Sequence, residues 1–175
     1  GLTMVISAGL GGMIEYLAYR PLRKSPRLAP LIAAIGVSFL LQNGVMLFMG
    51  AEPKVFPSII ARKNFNFGSV VITNTQLFII FISLLLMGGL HFFVTKTKLG
   101  KAMRASAQDL TMAGLVGINV NRTISITFLI GSALGGAAGV MYGMYYGVID
   151  FHMGYLAGLK AFTAAVLGGI GNIPG

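Results

Sequence analysis

The sequence has no cysteine, two histidines and four acidic residues in 175 positions, and charged residues of either sign make up only 10% of it. The missing cysteine excludes a disulfide framework and a thiolate metal site, and makes redox chemistry an unexpected role. The four acids, Glu15, Glu52, Asp109 and Asp150, lie in different segments. They form no carboxylate constellation, and no H-E-x-x-H, nucleophile elbow or P-loop accompanies them. A chain so poor in acids, bases and nucleophiles is not expected to catalyse a reaction or to hold ATP itself. Nothing at the N-terminus has the layout of a cleaved signal peptide.

What is present is apolar: 55% of the residues are hydrophobic and 25 are glycine, which is not the profile of a water-soluble domain. Thirteen Lys and Arg against four acids would suggest nucleic acid in a soluble protein. Here the charges fall between long apolar runs and do not line one face, so they are read as membrane anchors, with no nucleic-acid partner. At about 1.5 Å per residue, about 20 apolar residues cross a hydrocarbon core of roughly 30 Å. Residues 2–19, 31–50, 77–95 and 123–147 meet that length, and a fifth run from Leu156 fades into Gly168, Gly169, Gly171 and Pro174. The expected fold is all-α: a polytopic transmembrane helix bundle of about four full spans plus a fifth that spans, breaks or re-enters. Residues 1–175 read as one transmembrane domain, cut at both ends because Gly1 and Gly175 each lie inside a run.

Loop charges orient the bundle. Arg20, Arg23, Lys24 and Arg27 in the first loop join Lys96, Lys98, Lys101, Arg104 and Arg122 in the third, against Lys54, Arg62 and Lys63 in the second. Under the positive-inside rule, loops 20–30 and 96–122 are cytoplasmic. Pro21, Pro26 and Pro30 stiffen the first loop, and Pro30 suits the first turn of the next helix. In the outer loop 51–76, Val70, Val71, Ile72 and Thr73 suit a small β-hairpin, with a surface helix as the alternative.

Four features carry candidate roles. Gly131, Gly135, Gly139, Gly143 and Gly147 recur every four residues, which gives a groove where another helix can press closely, as a fixed interface or a sliding one. Ser38 and Gln42, a turn apart with Asn43 beside them, either line a pathway or bond between helices. Glu15 lies about a turn from Arg20, which suits an interfacial pair or a proton-carrying site, while His91 sits near the cytoplasmic end of its span and is not read as a ligand. In loop 96–122, residues Ala102, Met103, Ala105, Ala107, Leu110, Met112, Ala113 and Leu115 suit one or two short helices ending near Gly117. That segment either receives a partner or touches anionic headgroups.

The strings GKAMRASAQD at 100–109 and AGLVGI at 113–118 carry a resemblance that extends to YRPLR at 19–23, LIAAIGVS at 31–38, LQN at 41–43 and GLKAFTAAVLGGIGNIPG at 158–175. Together they resemble the permease subunits of bacterial branched-chain amino acid ABC importers. The resemblance implies a multi-pass protein of the bacterial plasma (inner) membrane, with further spans before Gly1 and after Gly175. It implies a second, related permease, two cytoplasmic ATPase subunits holding ATP and Mg, and an extracytoplasmic binding protein. No cofactor is expected on this chain. It also implies that a helix of loop 96–122 couples to the ATPase, with Arg104, Ala105, Asp109, Ala113, Gly114 and Gly117 as the candidate residues. Thr111 stands where the general importer signature has a Glu, and the later Ile-x-Leu-Pro is absent. Substrate contacts stay unassigned. The rival readings are a related permease for urea, short amides or sugars, a carrier driven by a gradient, and a membrane scaffold without flux.

Overall fold

The computed structural model describes residues 1–24, 28–57, 64–67 and 70–169. Pro26, Arg27, Arg62, Lys63, Gly171 and Pro174 lie outside the described residues, as does the end of the 158–175 string. The chain is helical almost throughout, in the order α1 (Leu2–Ile14), a π-turn (Glu15–Tyr19), a 3-10 turn (Pro21–Lys24), α2 (Leu28–Met49), β1 (Lys54–Val55), β2 (Asn64–Phe67), β3 (Val70–Thr73), α3 (Asn74–Lys96), α4 (Lys98–Gln108), α5 (Leu110–Leu115), α6 (Val120–Tyr146), β4 (Val148–Ile149) and α7 (Met153–Gly168). Among the described residues four helical stretches are long and apolar enough to cross a membrane: Leu2–Tyr19, Ile32–Met49, Asn74–Lys96 and Val120–Tyr146. Their ends follow backbone chemistry. Pro30 lies in the first turn of α2, and Gly50 (φ +87°) closes that helix by donating its N–H to the Met46 carbonyl at 2.9 Å. The fifth run is the 16-residue α7, about 24 Å long and short of a hydrocarbon core.

The chain divides into two compact units, residues 1–51 with 94–138 and residues 52–93 with 139–175, so α3 and α6 contribute to both. In the first unit, α1 and α6 run antiparallel and meet through small residues. A Cβ on Gly11 would collide with the Ser132 hydroxyl; one on Gly136 would lie 2.7 Å from Ser7 Oγ and 3.0 Å from the Thr3 carbonyl; one on Gly12 would touch Leu129 at 3.0 Å. Further along, Ser125 Oγ donates to Glu15 Oε2 at 2.8 Å, and the Tyr19 and Phe128 rings lie 4.9 Å apart. From Ser7–Gly136 through Gly11–Ser132 to Glu15–Ser125 the contacts climb α1 and descend α6, so each helix offers one face.

The second unit holds the strands. β2 and β3 form the antiparallel hairpin foreseen for the outer loop, with Asn64 opposite Thr73 and Phe67 opposite Val70. β1 pairs with β4, Lys54 opposite Ile149 and Val55 opposite Val148, and Phe56 N–H donates to the Gly147 carbonyl at 3.0 Å. That pairing sets the Phe56 ring beside Gly143, where a Cβ would come within 3.1 Å of it. Gly147 (φ +71°) ends α6 in a conformation that favours glycine.

The interior is the reverse of a soluble core. Among the described residues no large side chain is fully buried; the buried ones are Ala113, Ser106, Thr75, Thr123 and Glu15, with Gly11, Gly100 and Gly143. Leu47, Phe48 and Leu2 are exposed, as lipid-facing residues are. Gly136→Leu should therefore separate α1 from α6 and lower the midpoint of thermal unfolding in detergent, at a cost of about 1–3 kcal/mol for overpacking. Gly136→Ala should cost less, and an unchanged midpoint in the Leu variant would reject the contact.

Candidate functional site

The segment between α3 and α6 is a short helix, a break and a shorter helix, each stop set by a named residue. Lys96 ends α3, and Thr97 leaves the helical region (φ −91°, ψ 156°) and caps α4 by accepting from Gly100 N–H at 3.0 Å. α4 carries small residues on its inner side, with Gly100 and Ser106 buried. Ser106 Oγ is buried and has no hydrogen-bond partner among the described residues. Arg104 is exposed on the opposite side and its Nη2 donates to the Thr95 carbonyl at 3.5 Å, which places a cation on the C-terminal end of α3.

Asp109 makes the break. Its extended backbone (φ −151°, ψ 115°) closes α4, and its Oδ1 accepts from the Thr111 and Met112 N–H groups at 2.8 and 3.1 Å, which starts α5. One carboxylate thus satisfies two orphan donors at a helix N-terminus. At the other end Gly117 has φ +83°, its N–H donates to the Gly114 carbonyl at 3.1 Å, and Ile118 N–H donates to the Ala113 carbonyl at 3.0 Å. This paired closure is a Schellman motif, which needs the left-handed conformation that glycine adopts without strain. Asn119 follows at once as a cap for α6, its Oδ1 accepting from Arg122 N–H at 3.1 Å.

Ala113 is 3% exposed and anchors α5, while Leu110 (55%), Met112 (63%), Leu115 (78%) and Val116 (77%) project outward. A six-residue helix cannot persist alone. Here caps at both ends and the buried Ala113 hold it in a fixed conformation, so that it offers an apolar face on a stiff mount. Of the six candidates, Arg104 and Ala105 lie on α4, Asp109 at the break, Ala113 and Gly114 on α5, and Gly117 at its end. The sequence pattern places Leu110, Met112 and Leu115 on the short helices but does not say that they point outward together with Val116, because no periodicity is resolved over six residues.

The remaining candidates are placed differently. In the described structure nothing lies within 4 Å of a Cβ built on Gly131, Gly135 or Gly139, and Gly143 meets a phenyl ring. The face of α6 that α1 covers is instead Ser132 and Gly136, about 100° around the helix from that row. Ser7 with Gly11 and Ser132 with Gly136 are the small-xxx-small pairs that signal it. Gln42 Nε2 donates to Ser38 Oγ at 3.4 Å and Asn43 Nδ2 to the Phe39 carbonyl at 2.8 Å, both within α2. Glu15, expected near Arg20 at the interface, is 2% exposed against Ser125, and the Arg20 guanidinium lies 5.1 Å from the centre of the Tyr16 ring.

Four membrane-crossing helices, an interior of small residues and a capped hydrophilic segment between two spans define a multi-pass membrane protein. Over residues 1–175 the chain matches the family described as branched-chain amino acid transport system / permease component, and it belongs to that family. It is 49% identical over 178 residues to the high-affinity branched-chain amino acid transport system permease protein BraD of Pseudomonas aeruginosa, covering 99% of this chain and 58% of that protein. It is 48% identical over 177 residues to the permease protein LivH of Escherichia coli K12, covering 98% and 57%. A xylose transport system permease protein, XylH of Escherichia coli K12, is 33% identical over 91 residues, 52% of this chain and 23% of that one. The chain thus spans a little over half the length of BraD and LivH. No solved structure matches it.

The caps give a local prediction. Asp109→Ala should free the first turn of α5 at about 1 kcal/mol, so that hydrogen exchange of amides 111–115 speeds up about fivefold. Asp109→Asn, which still accepts, should leave exchange nearly unchanged; equal exchange in all three proteins would reject the cap.

Proposed function

We propose that this chain is a membrane-spanning portion of a permease subunit of a bacterial ABC importer for branched-chain amino acids. The observation that carries the reading is near-complete coverage of this chain at 48–49% identity by two permeases named for that transport. In this reading the chain sits in the plasma (inner) membrane beside a second, related permease. An extracytoplasmic binding protein delivers substrate, and two ATPase subunits on the cytoplasmic side bind and hydrolyse ATP with Mg. The chain itself binds no cofactor and catalyses no reaction. The likeness to the xylose permease covers half of the chain and supports a shared scaffold more than a shared cargo.

The basic loops 20–30 and 96–122 face the cytoplasm, where α5 meets the ATPases. Its four outward apolar residues fill a groove on the nucleotide-binding subunit, and the caps at Asp109 and Gly117 make the helix a lever that does not fray under load. Closure of the ATPases moves α4 and α5, and the motion reaches the spans through Thr97 at the end of α3 and Asn119 at the start of α6. The glycine row 131, 135, 139, 143 and 147 is the face that another helix, outside the described residues, presses against. A permease so driven alternates between outward and inward access, with selectivity set largely by the binding protein.

Reconstituted uptake tests this reading. The full-length permease with its partner subunits should accumulate leucine, isoleucine or valine only with ATP, and Gly117→Asp should reduce uptake and ATPase association at least tenfold together. Uptake without any ATPase, or ATP-dependent uptake of xylose or urea and none of the three amino acids, would reject it.

A further inference from the structure

α4 has two sides of different chemistry. At about 100° per residue, Lys98, Lys101, Arg104 and Gln108 fall on one arc of the helix and Leu99, Ala102, Met103 and Ser106 on the opposite one. The first four are all exposed, whereas Ser106 is buried and Ala102 and Met103 are partly covered. α4 carries no acid, and the exposed Lys96 extends the cationic arc back to the last residue of the membrane-crossing α3. Because only Thr97 separates the two helices, the arc begins at headgroup depth whichever side of the membrane it faces.

From this geometry we infer that the Lys96–Lys98–Lys101 edge of α4 is a binding surface for anionic phospholipid headgroups. Two observations favour lipid over protein as the occupant. The exposed long side chains of α4 are cations with an amide plus a single apolar residue, Leu99 (38% exposed), too little for the apolar centre that anchors a protein interface, whereas α5 next to it offers Leu110, Met112, Leu115 and Val116. The position is also fixed by the span: an ammonium on a four-carbon stem at the end of a transmembrane helix reaches the phosphate layer. The loop is thereby divided between two partners, with α4 held against the lipid surface and α5 free to carry an apolar contact. Anchoring α4 in this way gives the loop a fulcrum at the membrane, about which α4 tilts as α5 is moved.

A local reporter tests the inference. In a cysteine-free full-length permease, assembled with its partner subunits in phosphatidylcholine vesicles, Gln108→Cys carries a fluorophore. Quenching is compared for phosphatidylglycerol and phosphatidylcholine that bear a nitroxide near the headgroup. The anionic lipid should quench preferentially. Lys98→Gln with Lys101→Gln should reduce the preference about fivefold per lysine, without loss of ATPase association, and Lys98→Arg with Lys101→Arg should keep it. In the parent protein the preference should weaken as salt is raised. Equal quenching by the two lipids, a preference unchanged in the double Gln variant, or loss of ATPase association in that variant with the preference intact would each overturn the inference. If the double Gln variant does not assemble, the salt series on the parent still decides, because a preference insensitive to salt contradicts an electrostatic surface.

Discussion

Hydrocarbon offers a helix neither hydrogen bonds nor any gain from burying leucine, and the described structure follows from that constraint. Large apolar side chains gain as much against lipid as against protein, so they face outward, and helices associate where their backbones can come close. α1 and α6 do so through Ser7, Gly11, Ser132 and Gly136, positions with little side chain to keep them apart. The same constraint governs the polar groups. The Thr123 and Thr127 hydroxyls donate to carbonyls four residues back, Gln42 reaches Ser38, and the buried Glu15 accepts from Ser125 across the α1–α6 contact.

Outside the hydrocarbon the controlling chemistry changes from close approach to capping. Thr97, Asp109, Gly117 and Asn119 stop and restart the helix three times within about 25 residues, each through a hydrogen bond or a backbone conformation specific to its residue type. The result is a rigid zigzag joined directly to two spans. The split between a basic α4 and an apolar α5 follows from the same breaks, because each short helix is free to present its own face.

The spans were legible in the sequence to within a few residues, since length and apolarity are strong signals and Pro30, Gly50 and Gly147 mark ends. The β2–β3 hairpin was legible from the β-branched run at 70–73, and the two short helices with their stop at Gly117 from the alternation of small and apolar residues. The contact face of α6 was not. The period-four glycines are the more regular pattern, but regularity does not say which face a neighbour covers, and within the first unit α1 sits on Ser132 and Gly136. The β1–β4 pair was equally invisible, because two-residue strands about 90 positions apart leave no periodicity. A pairing partner for Ser38, Gln42 and Asn43 was open in the sequence because an i, i+4 bond within α2 and a bond to another helix require the same residues.

The account turns on the claim that α5 is the surface through which motion enters this permease. The chain's lack of cysteine makes a direct measurement feasible: Leu115→Cys in a cysteine-free full-length permease, treated with a short bifunctional thiol reagent in the presence of the ATPase carrying single surface cysteines. A crosslink from position 115 whose yield changes between ATP-bound and nucleotide-free states, with none from Val55→Cys in the loop between α2 and α3, is the predicted result. A crosslink absent in both states at position 115, or formed at position 55 instead, would contradict it.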